Sequence, residues 1–138
     1  MREASVCNQA KRMRLFAFIL VTGITAQIAP ADAEENLWGA IALGGNGFGA
    51  SRGRPDENAA ISGALRQCEE SGGAGKCKIR LTYRNRCAAY ASGDNREVAI
   101  AYADTMEKAS KLAQRSCSEA TKNCRIQYAA CSVPSSFN

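Results

Sequence analysis

The hydrophobic and polar positions of the chain follow the same series of patterns twice. Each series opens with a short apolar segment, at residues 38–43 and again at residues 87–91. A turn, a second short segment, an amphipathic segment and a segment of alternating residues then follow in that order. Period-two alternation is typical of a half-buried strand, and apolar residues spaced three and four positions apart are typical of a helix. Each series therefore predicts a strand-strand-helix-strand unit.

Turn-forming and capping residues set the boundaries of these elements. Residues 44–47 contain an Asn-Gly step, which favours a hairpin turn, and the glycines of residues 71–75 end a helix. Pro55 suits the first position of one helix, and Asp104 with Glu107 resembles the capping box of the other. In the first unit we predict two strands, a helix and a strand over residues 38–43, 48–51, 55–68 and 77–84. In the second unit the same elements are predicted over residues 87–91, 98–102, 104–120 and 124–131.

The two units together predict an α+β fold. Its simplest form is a duplicated strand-strand-helix-strand arrangement with a mixed or antiparallel sheet, two helices packed on one face, and disulfide bonds. The two internal repeats span about residues 37–86 and 87–133. Residues 34–138 number 105, which fits one domain with a modest core.

The amino-terminal segment, residues 1–33, has the pattern of a secretion signal. A basic stretch precedes an apolar run over residues 15–26, and residues 31–33 have the A-x-A form that signal peptidase reads. We predict cleavage after Ala33, with Met13 as a second candidate for the true start. The apolar run is about twelve residues, shorter than the roughly 20 that a membrane-spanning helix requires. The mature chain is therefore predicted to be secreted or periplasmic, with no transmembrane segment.

Six cysteines remain after the predicted signal, because Cys7 lies within it. An even count in a short exported chain is typical of a disulfide framework, although six cysteines allow fifteen connectivities. The repeat narrows the choice, since equivalent cysteines are expected to form equivalent bonds. A zinc site is disfavoured because the chain has neither a C-x-x-C spacing nor a histidine. We predict three disulfides, which are Cys68–Cys77, Cys117–Cys124 and Cys87–Cys131.

Two features of the sequence resemble a known bacterial family. They are the Trp-Gly-Ala-Ile-Ala motif of residues 38–42 and the alanine-rich helices that end in cysteine, and the family is called domain of unknown function 4189. The resemblance covers roughly residues 37–132. It implies a small exported bacterial protein with paired cysteines, and it brings no established activity, cofactor or catalytic residue.

The composition limits the candidate catalytic chemistry. The chain has no histidine, which removes the usual general base for serine and cysteine nucleophiles. A relaxed G-x-G-x-x-A match at residues 45–50 is better explained as a hairpin, because the next helix begins only at Pro55. Acidic residues remain as acid-base candidates, although turns and helix starts attract them for structural reasons: Asp56, Glu57, Asp94, Glu97, Asp104 and Glu107. No catalytic residue, cofactor or metal is predicted.

Charge indicates one candidate surface. Residues 34–138 carry 14 basic and 11 acidic side chains, an excess too mild to imply a polyanionic partner on its own. Cations alternate along one predicted strand and recur at the matching place in the second unit, as Lys78, Arg80, Arg84, Arg86 and Arg125. This face is a candidate for an anionic partner, and the alternative is a solvated face or an edge whose charges prevent aggregation. Nucleic acid is not expected, because stacking aromatic residues are not interleaved with the cations.

These patterns favour an exported, non-enzymatic binding or interaction domain, such as a protein inhibitor or an envelope-associated partner. The expected partner is a protein or an anionic envelope polymer. Two alternatives stay open. A small secreted hydrolase that uses carboxylates would show convergent acids in a concave site, and a purely structural envelope protein would show neither a pocket nor a charged patch.

Overall fold

A computed structural model describes residues 35–134, so the predicted signal peptide lies outside the described residues. Each unit has two strands, a helix and a strand, in the predicted order. The elements of the first unit are β1 Trp38–Gly44, β2 Gly47–Arg54, α1 Glu57–Cys68 and β3 Lys78–Arg84. Those of the second unit are β4 Arg86–Ser92, β5 Val98–Ala103, α2 Met106–Ala120 and β6 Arg125–Ser132. Within residues 35–134 there is no helix long and apolar enough to cross a membrane.

Each unit forms its own three-stranded sheet, with the strand orders β2-β1-β3 and β5-β4-β6. All strand pairs are antiparallel, so the predicted α+β class with antiparallel strands and disulfides is confirmed. The arrangement differs from a single sheet with both helices on one face, because each sheet carries its own helix. The reason is that each central strand is paired on both edges within its unit. Each sheet then has a second apolar face, which packs against the other sheet.

Alternate residues of each strand contact either a helix or the opposite sheet. In β1, Ala40 and Ala42 pack against α1, whereas Ile41 packs between the sheets. The second unit has the same arrangement, with alanines of β4 and β5 against α2. Because these side chains are small, each helix lies close to its sheet. At Gly49 an added Cβ would overlap the backbone of Ala64 in α1.

The core between the sheets holds the larger side chains. Ile41, Tyr83 and Ala88 are buried there, and half-buried neighbours come from five strands, as Phe48, Ala50, Leu81, Tyr90, Ile100 and Tyr128. The Tyr83 ring lies against Gly39, where any side chain would overlap it. The glycine of the opening motif is therefore required by a close approach of a tyrosine from the neighbouring strand.

Both helices begin immediately after a capping residue. The Asp56 carboxylate caps α1 and the Thr105 hydroxyl caps α2, each by accepting a hydrogen bond from the backbone N–H three residues later, at 2.8 and 3.2 Å. Pro55 therefore precedes the cap of α1 and does not open the helix. Asp104, which the sequence predicts as part of a capping box, instead pairs with Arg86 at 3.7 Å.

Three disulfides are present, in the pairs that the repeat predicts: Cys68–Cys77, Cys117–Cys124 and Cys87–Cys131. The first two each join the end of a helix to the start of the following strand, with Cα atoms 6.0 Å apart. The third joins residues that lie directly opposite each other on β4 and β6. Each helix end is therefore covalently linked to its own sheet.

Candidate functional site

A cleft of about 470 Å³ opens between the two sheets at the end of the molecule where both helices terminate. Its lining comes from the β1–β2 turn, β3, the end of β4 and the β4–β5 connection. We call it the arginine cleft, and define it by Asn46, Phe48, Arg80, Tyr90, Ser92 and Arg96. A second cleft of similar volume, at the other end of the strands, has Arg52 as its one charged lining residue.

The β1–β2 turn forms one wall of the arginine cleft and is held by the helical turn Glu69–Gly73, which continues the end of α1. Gly45 has a φ of +59°, which glycine adopts without steric cost. The backbone N–H of Asn46 donates to the Gly72 carbonyl at 3.2 Å. The Ser71 hydroxyl accepts from the backbone N–H of Phe48 at 2.9 Å and donates to its carbonyl at 2.7 Å. The disulfide of the first unit links the same helix end to β3, so this wall is fixed on two sides.

Arg80 enters the cleft from a bulge in β3. The pairing of β1 with β3 shifts by one residue at this point, so Arg80 has no partner on β1. A bulge of this kind redirects the side chain that it carries. In β6, Cys124, Ile126 and Tyr128 alternate on one face, and unbroken alternation would place Cys131 on the other, which predicts a bulge near residues 129–130. The structure has the bulge at Gln127 instead.

Arg96 enters the cleft from the β4–β5 connection, in a strained backbone conformation. Asn95 and Arg96 have φ values of 58° and 62°. This left-handed region costs a non-glycine residue of order 1–3 kcal/mol. The connection is tied to the segment before β6, since Asp94 N donates to the Lys122 carbonyl and Asn123 Nδ2 donates to the Asp94 carboxylate, both at 2.9 Å. The strain therefore lies in the loop that carries the second arginine.

The charged side chains that line the cleft are both positive. No acidic residue lines it, and among residues 35–134 neither Arg80 nor Arg96 has a carboxylate within 4.0 Å. Lys78 pairs with Leu43, and Arg125 pairs with Ser92, and both partners line the cleft. Directly opposite residues of an antiparallel pair have side chains on the same face. Arg80 and Arg96 therefore line this opening, and Lys78 and Arg125 lie at strand positions beside it, so the four cations come from two strands and a loop.

Aromatic rings form an apolar side of the cleft. The rings of Phe48 and Tyr90 are stacked, with centroids 5.4 Å apart and an interplanar angle of 19°. Tyr128 packs against Phe48 at 5.5 Å in a tilted arrangement. Phe48 and Tyr90 are half-buried, and both residues line the cleft. The cleft thus combines two arginines with two aromatic lining residues.

The predicted basic face is divided between the two ends of the strands. Lys78, Arg80 and Arg125 lie at the arginine cleft. Arg84 lies at the other end of β3, with its guanidinium 5.7 Å from the Trp38 ring centroid. Arg86 lies on β4, where it is 5.6 Å from the Tyr102 ring centroid and 3.7 Å from Asp104. Two of the five cations are therefore engaged in contacts of their own.

Arg96 is the functional candidate that the sequence analysis missed. It lies in a turn, where periodicity carries no information about the direction of a side chain. The one signal in the sequence was the length of the connection after Ser92, because a loop between two strands can direct a side chain over a neighbouring strand. Its convergence with Arg80 depends on the packing of the two sheets, which no local pattern describes.

The candidate carboxylates have local structural roles. Four of the six have contacts of this kind. Asp56 caps a helix, Glu57 accepts a hydrogen bond from a strand residue, and Asp104 and Glu107 form ion pairs. The Lys111 ammonium donates to the Glu107 carboxylate at 2.6 Å and lowers the pKa of that group. Within the described part of the chain no three Asp, Glu, His or Cys side chains are arranged to hold a metal ion.

Comparison with known proteins gives one family. A family model described as Domain of unknown function (DUF4189) matches residues 38–131, a range that begins at the first residue of β1 and ends at the last cysteine. No curated protein and no solved structure matches the chain. The matched range contains all six cysteines of the disulfides and the whole of the arginine cleft.

Proposed function

The chain belongs to the family Domain of unknown function (DUF4189), a description that names no activity, and we propose a function from the geometry of the cleft. The protein is an exported binding domain that recognises an anionic ligand with the arginine cleft. The ligand belongs to a protein or to an anionic polymer of the cell envelope.

The observation that carries this proposal is the convergence of Arg80 and Arg96 without a carboxylate. The two residues come from different units and line one opening. Like charges repel each other, and a folded chain ordinarily reduces this repulsion by placing an acid between them. No acid lines this cleft, and an anionic ligand supplies the missing charge. Arginine is well suited to that ligand because its planar fork binds carboxylate and phosphate oxygens in pairs.

The frame around the cleft supports recognition, because it holds the site in one geometry before a ligand arrives. The disulfides Cys68–Cys77 and Cys117–Cys124 both lie at this end of the molecule. One links the helix end that carries the β1–β2 turn to β3, and the other links the end of α2 to β6. A preformed site loses less conformational entropy on binding, which increases affinity.

The side chains in the cleft are suited to binding and not to proton transfer. The sequence contains no histidine, and the cleft is lined by arginine, serine, asparagine and aromatic residues. Arginine stays protonated at all ordinary pH values, so it cannot act as a general base. An acid-base hydrolase would require a carboxylate in the cleft, and neither Asp94 nor Glu97, the acids on the loop that carries Arg96, lines it.

A binding experiment with matched variants tests the proposal. Oxidised protein comprising residues 34–138 is titrated with polygalacturonate and with vesicles that contain phosphatidylglycerol, and affinity is measured by calorimetry and by arginine side-chain NMR signals. The double variant Arg80→Gln, Arg96→Gln is expected to bind at least about tenfold more weakly, equivalent to about 1.4 kcal/mol. The control is Arg66→Gln, Arg115→Gln, which removes the same charge from exposed positions of α1 and α2.

The control separates a specific site from net charge. Retained binding in the control and weakened binding in the cleft variant support the proposal. Equal weakening in both variants shows that binding follows net charge alone and contradicts it. Full binding in the cleft variant also contradicts it, because the anion then contacts another surface.

A further inference from the structure

The arginine cleft has features of two different recognition surfaces, one for charge and one for a flat ring. Its volume of about 470 Å³ lies within the range of small-molecule sites, roughly 300–1,000 Å³. We propose that its ligand is a carboxylated sugar, that is, a uronic acid residue of a glycan. This inference rests on the proposed function, and it adds the chemical class of the ligand.

The arginines account for the carboxylate. A carboxylate is planar and offers two oxygens, which match the paired N–H groups of one guanidinium, and a second guanidinium then contacts the remaining lone pairs. Arg80 and Arg96 supply these two groups from the two units, one from β3 and one from the β4–β5 connection.

The aromatic pair accounts for the sugar ring. A pyranose presents a face of C–H groups that packs on an aromatic ring, and Tyr90, stacked on Phe48, provides such a ring at the cleft. Polar groups for the sugar hydroxyls lie beside it. The side chains of Asn46 and Ser92 and the hydroxyl of Tyr90 make no hydrogen bond to another residue within 35–134, and all three residues line the cleft.

The helix orientation favours a carboxylate over a phosphate. Phosphate sites commonly use the positive N-terminal end of a helix. At the arginine cleft both helices present their C-terminal ends, since α1 ends at Cys68 and α2 ends at Ala120. The partial negative charge there is less unfavourable for an anion of charge −1 than for one of charge −2. The site is therefore better matched to a uronate than to a sugar phosphate.

The experiment compares ligands that differ in one group each. Oxidised residues 34–138 are titrated with D-galacturonate, its methyl ester, D-galactose, acetate and galactose 1-phosphate, and dissociation constants are measured by NMR. We expect galacturonate to bind at least about tenfold more tightly than acetate or galactose, and the neutral ester to lose at least about tenfold. Trigalacturonate is used in parallel to raise the affinity into the range of calorimetry.

Two protein variants locate the two halves of the ligand. Arg96→Gln is expected to weaken galacturonate and acetate alike, whereas Tyr90→Leu is expected to weaken galacturonate by about fivefold or more and to leave acetate unchanged. Because Tyr90 also packs against Phe48, the fold of Tyr90→Leu is checked by its NMR spectrum, and Ser92→Ala provides a second variant on the sugar side.

Each result has a defined meaning for the two proposals. The carboxylated-sugar proposal is overturned if galactose 1-phosphate binds more tightly than galacturonate, or if acetate and galacturonate bind equally. The anion-binding function then stays in place provided that Arg96→Gln weakens the binding of those ligands. Binding of no anion in this series, or binding that Arg96→Gln does not change, overturns both proposals.

Discussion

The two units have the same order of elements, but one equivalent pair of facing residues, on the first and last strands of each unit, interacts differently in the two. In the first unit, Trp38 at the start of β1 lies opposite Arg84 on β3, and the guanidinium stacks on the indole. In the second unit, Cys87 at the start of β4 lies opposite Cys131 on β6, and the two form a disulfide. One backbone arrangement is thus stabilised by a large side chain in one place and by a covalent bond in the other.

The difference follows from the size of the side chains against each helix. The first unit adds Trp38, Leu65 and Ile79 around its buried alanines. The second unit has only alanines and cysteines in the cluster against α2. Small side chains bury less apolar surface, which contributes roughly 25 cal/mol per Å². We expect the extra disulfide to compensate for that smaller contribution in the second unit.

The largest expected effect tests this comparison directly. Replacing both Cys87 and Cys131 with alanine opens a loop of 44 residues, for which chain-entropy estimates give a loss of about 4 kcal/mol in the free energy of unfolding. Urea denaturation of the oxidised protein measures it. A loss below about 1 kcal/mol would show that the second unit does not depend on its cross-link.

The next effect concerns the spacing between helix and sheet. Gly49 of β2 lies opposite Ala42, and Ala99 of β5 lies opposite Ala91 in the same arrangement. An added Cβ at Gly49 would overlap the backbone of α1, whereas the second unit already has a methyl group at the corresponding position. Gly49→Ala is expected to cost about 1–3 kcal/mol by overpacking.

The matched control for this variant is Ala99→Gly. It creates no overlap, and we expect a cost of about 1 kcal/mol from the added chain entropy and the lost methyl contact. Thermal or urea unfolding compares the two variants. Equal costs would mean that the two helices lie at the same distance from their sheets, and this part of the comparison would be wrong.

The third expected effect is a gain in stability. It concerns a tyrosine of β3 whose equivalent position in β6 is an alanine. Tyr83 lies opposite Gly39, and the corresponding pair in the second unit is Ala130 with Ala88. The Tyr83 hydroxyl is buried, and although the Tyr128 hydroxyl lies near it, no group among the described residues meets hydrogen-bond geometry with it. An unpaired buried hydroxyl costs about 1–3 kcal/mol. Tyr83→Phe is therefore expected to raise the free energy of unfolding by about 1 kcal/mol.

The same residue gives a dependence on pH. Burial, with a further contribution from the Tyr128 hydroxyl, raises the pKa of Tyr83 above its usual range. The unfolded chain then loses this proton near pH 10, whereas the folded protein keeps it. The stability contributed by the neutral form is fully present below about pH 10 and is lost as the pH rises above that value. Urea midpoints between pH 8 and 11 are expected to fall less steeply in Tyr83→Phe than in the unchanged protein.

The sequence was sufficient for the elements and for the cysteine pairs, because both follow from local patterns and their repetition. It was not sufficient for the number of sheets. Alternation shows that Ile41 and Ala42 face opposite ways, but it does not show whether the second face meets solvent or another sheet. The arginine cleft depends on that packing, so the local pattern shows Arg80 as one cation in a row and does not connect it with Arg96.

The smallest expected effect separates the two cation–aromatic contacts found within residues 35–134. Arg84 stacks on Trp38 in the first unit, and Arg86 stacks on Tyr102 in the second while also pairing with Asp104. An exposed contact of this kind contributes about 0.5–1 kcal/mol. Arg84→Gln is expected to lower the free energy of unfolding by that amount and to change the fluorescence of Trp38, the single tryptophan of the chain.

Arg86→Gln provides the contrast because its partners include no tryptophan. This variant is expected to lower the free energy of unfolding by a similar amount and to leave the emission of Trp38 unchanged. Raised salt should reduce the effect of Arg86→Gln more than that of Arg84→Gln, because of the two arginines Arg86 is the one with an ion pair that salt screens. An unchanged emission spectrum in Arg84→Gln would place the guanidinium away from the indole in solution. The first unit would then depend on the burial of Trp38 alone at the position where the second unit has its disulfide.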